Sequence, residues 1–583
     1  MPTGYQRFTL LFLISIILLS CKTGPLETVS PDDEFNQYKE SFMEDLWKNF
    51  PVIASSVGYH KYDSVLIVPD NASREVELAF IKKHLDELAK RDENALSVSN
   101  RIDYLMIRDQ LDLNAWNVNS YKAHEWNPAS YNVTGTFAEM LNGKYEPLEN
   151  RLRNFYLRME NVPAYYEAAK ANIKNPTLEH TQLAIEQNLG GITVFEEDLK
   201  NAIDTANLSD SERKEMLERA VASAAAVRGY ADWLKKLDNK SPRSFRLGKE
   251  LHSQKFDLEI LSSYSVDSIY NIAAAHKKDL HKKMVKLAEE LWPKYMGKAA
   301  KPADTLKLIR AVIDKISLKH VSRDSFQLAI EKQIPELTEF VKQRDLIYLD
   351  PSKPLVVRKE PAYMAGVAGA SISAPGPYDK NANTYYNVGS LNGWTPERAE
   401  SYLREYNYYT LQILNIHEAI PGHYAQLVYG NQSPSIIKSV LGSGAMVEGW
   451  AVYTELMMLE NGYGNNSPEL WLMYYKWNLR VTCNTILDIG VHTRDMSKTD
   501  AMHLLVNEAF QQQAEAEGKW RRVSLTQAQL CSYFAGFWEI YQFREELKKS
   551  MGDKFNLKEF HEKFLSYGNA PVKYIRQMYD TDK

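Results

Sequence analysis

Between Tyr406 and Tyr429 the chain reads YNYYTLQILNIHEAIPGHYAQLVY, and here residue types and spacing first allow chemistry. His417 and Glu418 end an apolar run, and His423 follows Pro421-Gly422. Imidazole nitrogens and carboxylate oxygens are the donors zinc takes, and a Glu beside a ligating His can take a proton from water. In His-Glu-x-x-His one turn of helix brings both rings to one face; here two more residues intervene. At about 100° per residue, a separation of six sets the rings about 240° apart on a regular helix. Pro421 breaks that regularity, because its ring would clash with the carbonyl of residue 417 and it has no N–H to donate. Gly422 tolerates backbone conformations closed to other residues. The expectation is a kinked turn that swings His423 back towards His417.

A third ligand should be a carboxylate. Gly444-Ala-Met-Val-Glu448-Gly-Trp-Ala-Val-Tyr-Thr-Glu455 follows after a loop. Glu448 opens an apolar helical stretch, where an acid otherwise serves only the helix N-terminus. Read as a ligand, it completes with His417 and His423 a three-residue set for one Zn²⁺, with a fourth position open. Glu455, two turns along on a similar face, could support a ligand from behind. Glu418 is then the general base. A donor for a developing oxyanion must come from elsewhere. The candidates are His492, after Asp488-Ile-Gly-Val, and Tyr533, among Phe534, Phe537 and Trp538; both read equally well as packing. Tyr385, Tyr386 and Asn387, on a strand-like run before the motif, are candidates for pairing with an extended substrate by strand addition.

The elements that position these residues are mostly helices. Ser209-Asp-Ser-Glu and Ser265-Val-Asp-Ser read as helix starts ahead of apolar residues on a helical period, and Asn71 to Leu88 and Ser325 to Gln343 carry the same period, with Pro335 expected to kink the last. Pro354-Leu-Val-Val-Arg and Thr384-Tyr-Tyr-Asn-Val read as strands, with a loop over Ala365 to Pro377 between them. The fold class expected is mainly α: a helical region over 34–350, then a catalytic region over 351–583 with a small β-sheet beside the zinc helix, the two forming one compact unit.

Composition narrows the function. The 583 residues are 44% apolar and 25% charged, the balance of a globular protein. A net charge of −5 without a basic stripe sets nucleic acid aside. Arg7 followed by the apolar run Phe8 to Leu19 reads as a signal peptide over 1–20, too short to span a membrane. It ends Leu18-Leu-Ser-Cys21, the pattern of a bacterial lipobox, with Cys21 as the lipidated residue and 21–33 as a flexible tether. The expectation is a lipoprotein of the bacterial envelope, membrane-anchored through lipid on Cys21. Lys22 and Thr23 lean towards the outer membrane. Cys483 and Cys531 could form a disulfide, though their spacing gives no sign of one, and neither sits beside a His as a thiol nucleophile would. No Gly-x-Ser-x-Gly elbow is present.

HEAIPGH followed by EGWAVYTE resembles the bacterial DUF885 proteins, which are similar to gluzincin-type metallopeptidases. Other segments fit the same family: Leu46-Trp-Lys-Asn-Phe-Pro51 with Ala54 and Gly58, Arg101-Ile-Asp103-Tyr104-Leu105, Asp488-x-Gly490-x-His492, and Gln527-Ala-Gln529-Leu-Cys-Ser532-Tyr533 with Gly536. Tyr424 and Thr526 depart from its usual His and Pro. The resemblance spans roughly residues 35 to 580 and implies one largely helical fold with a deep cleft. The leading expectation is a lipid-anchored zinc metallopeptidase acting on a peptide substrate. A zinc hydrolase of a non-peptide amide or ester would use the same ligands. A non-catalytic binding lipoprotein would have no need of Glu418.

Overall fold

The computed structural model describes residues 30–360, 370–379 and 383–581; the leader, Cys21 and most of the tether lie outside them. The chain is mainly α-helical with a three-stranded sheet. Helices start where a side chain satisfies their first free N–H groups. α1 (Pro31–Asn49) opens on Ser30, whose side chain accepts from Asp33 N–H, with three acids in its first turn. The end of the expected tether is therefore helical: Pro31 sits at the first helical position, where its missing N–H costs nothing. α2 (Asn71–Ala89) is capped by Asp70, α3 (Asp210–Lys236) by a reciprocal Ser209–Glu212 box, and α4 (Val266–Met296) by Ser265. α5 (Phe326–Gln343) is a single helix that runs through Pro335. Among the described residues no helix is long and apolar enough to cross a membrane.

The sheet has the order β1-β3-β2. β1 (Leu355–Lys359) runs parallel to β3 (Thr384–Val388), and β2 (Ala370–Ser373) runs antiparallel on its other side. β2 falls inside the stretch expected to be a loop. Its Ala and Ser residues carry little strand signal, and pairing with β3 supplies the order instead, helped by Asn387 Nδ2 donating to Ser373 Oγ at 2.7 Å.

Buried apolar residues form two clusters. The larger joins the N-terminal helices, through Phe35, Trp47 and Ile107, to the chain from Phe256 to its end. A smaller one is drawn almost wholly from residues 131–234, around Phe137, Phe155, Phe195 and Tyr230. Fully buried Asp103 ties α1 to the C-terminal half by pairing with Lys39 at 2.7 Å and Lys438 at 2.6 Å. Cys483 and Cys531 are both free and buried.

Six helices frame the chemistry: α6 (Tyr408–Glu418), α7 (His423–Asn431), α8 (Gly444–Glu460), α9 (Pro468–Thr493), α10 (Gln513–Leu525) and α11 (Cys531–Met551). α8 and α11 touch backbone to backbone. A Cβ on Gly536 would stand 1.7 Å from Ala445 O, and one on Gly449 would stand 2.3 Å from Gly536 C. Only glycine allows that approach, and it sets Glu448 of α8 beside Tyr533 of α11.

Candidate metal centre

The helix carrying the first ligand is started by Asn407, whose side chain accepts from the N–H groups of Tyr409 and Thr410. α6 then stops at Glu418, and α7 begins at His423. The connection includes a cis Ile420–Pro421 bond and is held from two sides. Gly422 N–H donates to Ile416 O at 3.0 Å, and Trp450 Nε1 donates to Pro421 O at 3.0 Å. Gly422 presses so close to α6 that a Cβ there would lie 1.9 Å from His417 O. Its role is this close approach. The turn brings the two imidazoles together, with centroids 4.8 Å apart and planes at 86°.

Both rings face one oxygen. His417 Nε2 lies 3.8 Å and His423 Nε2 3.4 Å from Glu448 Oε2. One donor atom from each of the three residues falls within 4.8 Å of the others. Glu448 Oε2 is buried and has no hydrogen-bond partner among the described residues, an arrangement that suits a cation better than a packed core. Behind His417, Glu455 Oε1 accepts from Trp477 Nε1 at 2.9 Å and lies 2.7 Å from His417 Nδ1. An indole N–H can only donate, so this oxygen is an acceptor, and the His417 proton belongs on Nδ1. The Nε2 lone pair is thereby turned towards Glu448 and His423.

Burial, and then His423, pull His417 down to about 3, so its ring is neutral as a ligand requires. Burial pushes the Glu418 carboxyl up to about 7; His423 opposes the rise and Glu448 adds to it. Burial would lower His423, but the facing Glu448 outweighs it and holds the imidazole above its usual value. Burial would likewise raise Glu448, yet His423, His417 and Tyr533 together keep it below the ordinary carboxylate range. The site reaches solvent on the side of His423 and Glu448, whose side chains keep 12% and 22% exposure.

Of the two donor candidates, the structure brings Tyr533 to the cluster and leaves His492 outside it. The Tyr533 hydroxyl adjoins Glu448 and accepts from Arg522 Nη2 at 3.0 Å. His492 is buried on α9, with Nε2 2.9 Å from Val523 O and 3.2 Å from Thr526 O. With Asp488, which accepts from Ala528 N–H at 3.0 Å and contacts His252 at 2.6 Å, it fastens the turn between α10 and α11. Among the described residues His492 holds the segment that carries Tyr533 and makes no contact with the His417–His423–Glu448 cluster.

Strand addition at Tyr385, Tyr386 and Asn387 does not fit either. β3 is the middle strand, so β1 and β2 already take both of its edges. Tyr386 is fully buried, its hydroxyl donating to Asn415 Oδ1 at 2.8 Å, which braces α6 against the sheet. Asn387 is buried among Arg358, Ser371 and Ser373, and Tyr385 stacks under the Arg358 guanidinium at 3.8 Å. Tyr386 and Asn387 are buried behind the site, Tyr386 close to Glu418, and none of the three offers a free strand edge. The sequence reading passed over Trp450, Trp477, Arg480, Lys519 and Arg522. Trp450 stands inside EGWA and could have been found there; the others carry no spacing signal.

The model of the family described as "Bacterial protein of unknown function (DUF885)" matches residues 51–578. A search of curated proteins gives no match. Among solved structures, a candidate lipoprotein of unknown function from Shewanella oneidensis is 52% identical, with a TM-score of 0.84 over 94% of this chain and 99% of that one. A candidate lipoprotein from Colwellia psychrerythraea is 16% identical, with a TM-score of 0.77 over 95% and 100%, and shares the fold. The family match over most of the length, together with a close relative covered almost end to end, establishes that the chain belongs to the DUF885 family.

Proposed function

We propose that this chain is a zinc-dependent hydrolase that cleaves peptide bonds. The observation that carries the reading is the convergence of His417, His423 and Glu448 on one partnerless buried oxygen, with Glu418 next to the first ligand. Two imidazoles and a carboxylate are a donor set suited to zinc with a position left open. When bound, such an ion supplies Lewis-acid polarisation of a carbonyl and acidifies water. The chain's own residues do the rest. Glu418, with its carboxyl near neutrality, can take a proton from water on one oxygen and return it to the departing nitrogen. Glu455 keeps His417 in the tautomer whose Nε2 is free. Tyr533, steadied by Arg522, offers its O–H to a developing oxyanion, and its hydroxyl stays protonated because burial, and then Glu448, push it up to about 12.

The same reading places the protein at a bacterial envelope membrane, the outer membrane favoured by Lys22 and Thr23. Leu18-Leu-Ser-Cys21 supports lipidation at Cys21, as does the 52% identical candidate lipoprotein. A peptide-library digest read by mass spectrometry tests the activity. Cleavage should disappear with chelator and return with added zinc. Cleavage indifferent to chelator, or none in either condition, would overturn the reading.

A further inference from the structure

Beside the metal cluster, α9 and α10 bring together more positive charge than the described residues neutralise. Lys476 and Arg480 project from α9, Lys519 and Arg522 from α10. Two acids answer them: Glu405 pairs with Lys476 at 2.7 Å, and Glu515 with Arg480 at 2.6 Å. Among the described residues no carboxylate lies within ion-pair distance of Lys519 or Arg522. Lys519 is only 5% exposed, and among the described residues its ammonium has neither an ion pair nor a hydrogen-bond acceptor, while its nitrogen is not sealed from solvent. A cation whose stem is buried while its head has no protein partner is open to an anion from outside. Burial, and then Arg480, hold Lys519 down to about 7, with Glu515 opposing the fall.

The second cation points to where that anion comes from. Arg522 uses Nη2 on Gln529 Oε1 at 2.8 Å and on the Tyr533 hydroxyl at 3.0 Å, and its other N–H groups remain available for a carboxylate. Through Tyr533 it stands one hydroxyl away from Glu448. We propose that Lys519 and Arg522 bind the C-terminal carboxylate of the peptide substrate, so that the enzyme trims peptides from their C-terminal end. This rests on the peptide-hydrolase reading above. Through the Tyr533 hydroxyl the guanidinium stands close to Glu448, and an extended peptide advances ~3.3–3.6 Å per residue, so the bond cleaved lies near the free end.

The test compares three N-acetylated tetrapeptides: one sequence with a free C-terminus, the same sequence as a C-terminal amide, and an amide in which one residue near the end is replaced by Glu. Binding is measured by calorimetry on the zinc-loaded Glu418→Gln protein, and turnover on the wild type. The free carboxylate should bind at least ~10-fold more tightly than the amide, the usual scale of a charge-assisted contact. That ratio should fall to within about twofold in Lys519→Met and in Arg522→Gln, with folding checked by circular dichroism and Lys519→Arg restoring the preference. If peptide hydrolysis alone is wrong, nothing is cleaved but the binding preference stands. If the carboxylate site is wrong, free and amidated peptides bind and react alike, or neither binds. Equal binding of the Glu-bearing amide would also overturn the C-terminal assignment.

Discussion

At the scale of single residues, neighbours decide what each ionisable group does. Three carboxylates lie close together and their acidities diverge. Glu448 is kept ionised by the two histidines and Tyr533, Glu455 is raised far above its usual range by burial, and Glu418 sits near neutrality. Such divergence is a mark of functional sites. Glu418 is the group whose removal separates chemistry from structure. Glu418→Gln should retain zinc and melting temperature while turnover falls at least ~100-fold, the scale of a lost general base. Zinc content, melting and peptide turnover on one preparation would show it; unchanged turnover would remove Glu418 from the mechanism. The convergence of His417, His423 and Glu448 was legible in the sequence, because metal chemistry imposes residue types and separations. Tyr533 was legible only as one of two possibilities, and a lone His such as His492 gives no sign of whether its ring meets a substrate or a backbone carbonyl. Lys519 and Arg522 look like ordinary polar-face residues of α10 until the fold buries one and turns the other onto Tyr533.

At the scale of elements, the site depends on how closely backbones approach. Helix starts were readable because capping is local: Ser209, Ser265 and the Asn71 region all open helices where expected. The break between α6 and α7 was readable too, since Pro421 and Gly422 cannot continue a helix that packs this tightly. β2 was hidden, because its pairing partner lies far along the chain. The contact of α8 with α11 was hidden for the same reason, although Gly449 and Gly536 both stand in recognisable motifs. Gly536→Ala forces a methyl against Ala445 O and pushes the helices apart, at a cost of about 1–3 kcal/mol or more. The variant should melt several degrees lower and, in the protein that remains folded, lose turnover further than stability alone explains, because Tyr533 moves away from Glu448. A variant with wild-type melting and turnover would show that the close approach is not needed.

At the scale of the whole molecule, the N-terminal helices and the segment carrying the His–Glu cluster share one core, joined by Asp103 with Lys39 and Lys438 and by long-range contacts of the C-terminal helices. His561 is one such contact. Its Nδ1–H donates to Leu346 O at 2.8 Å, and its Nε2 accepts from the Tyr453 hydroxyl at 2.8 Å, an arrangement that only the neutral ring can make. Burial holds it down to about 4, the nearby Arg544 lowers it further, and the bond to Leu346 opposes both. Because the unfolded chain takes up this proton first, stability is lost as pH falls below about 6.5 and continues to fall towards 4. His561 alone should account for about 2 kcal/mol between pH 7 and pH 5, measured by urea unfolding of metal-free protein, and His561→Gln should flatten that dependence. Equal slopes in both proteins would contradict it. The central claim, that a turn between two helices and the start of a third assemble one zinc site, is tested most directly by metal analysis. Purified wild-type protein should hold about one zinc per chain, and His423→Ala, folded by circular dichroism, should hold almost none. Full zinc in the His423→Ala protein, or none in the wild type after zinc loading, would contradict the account.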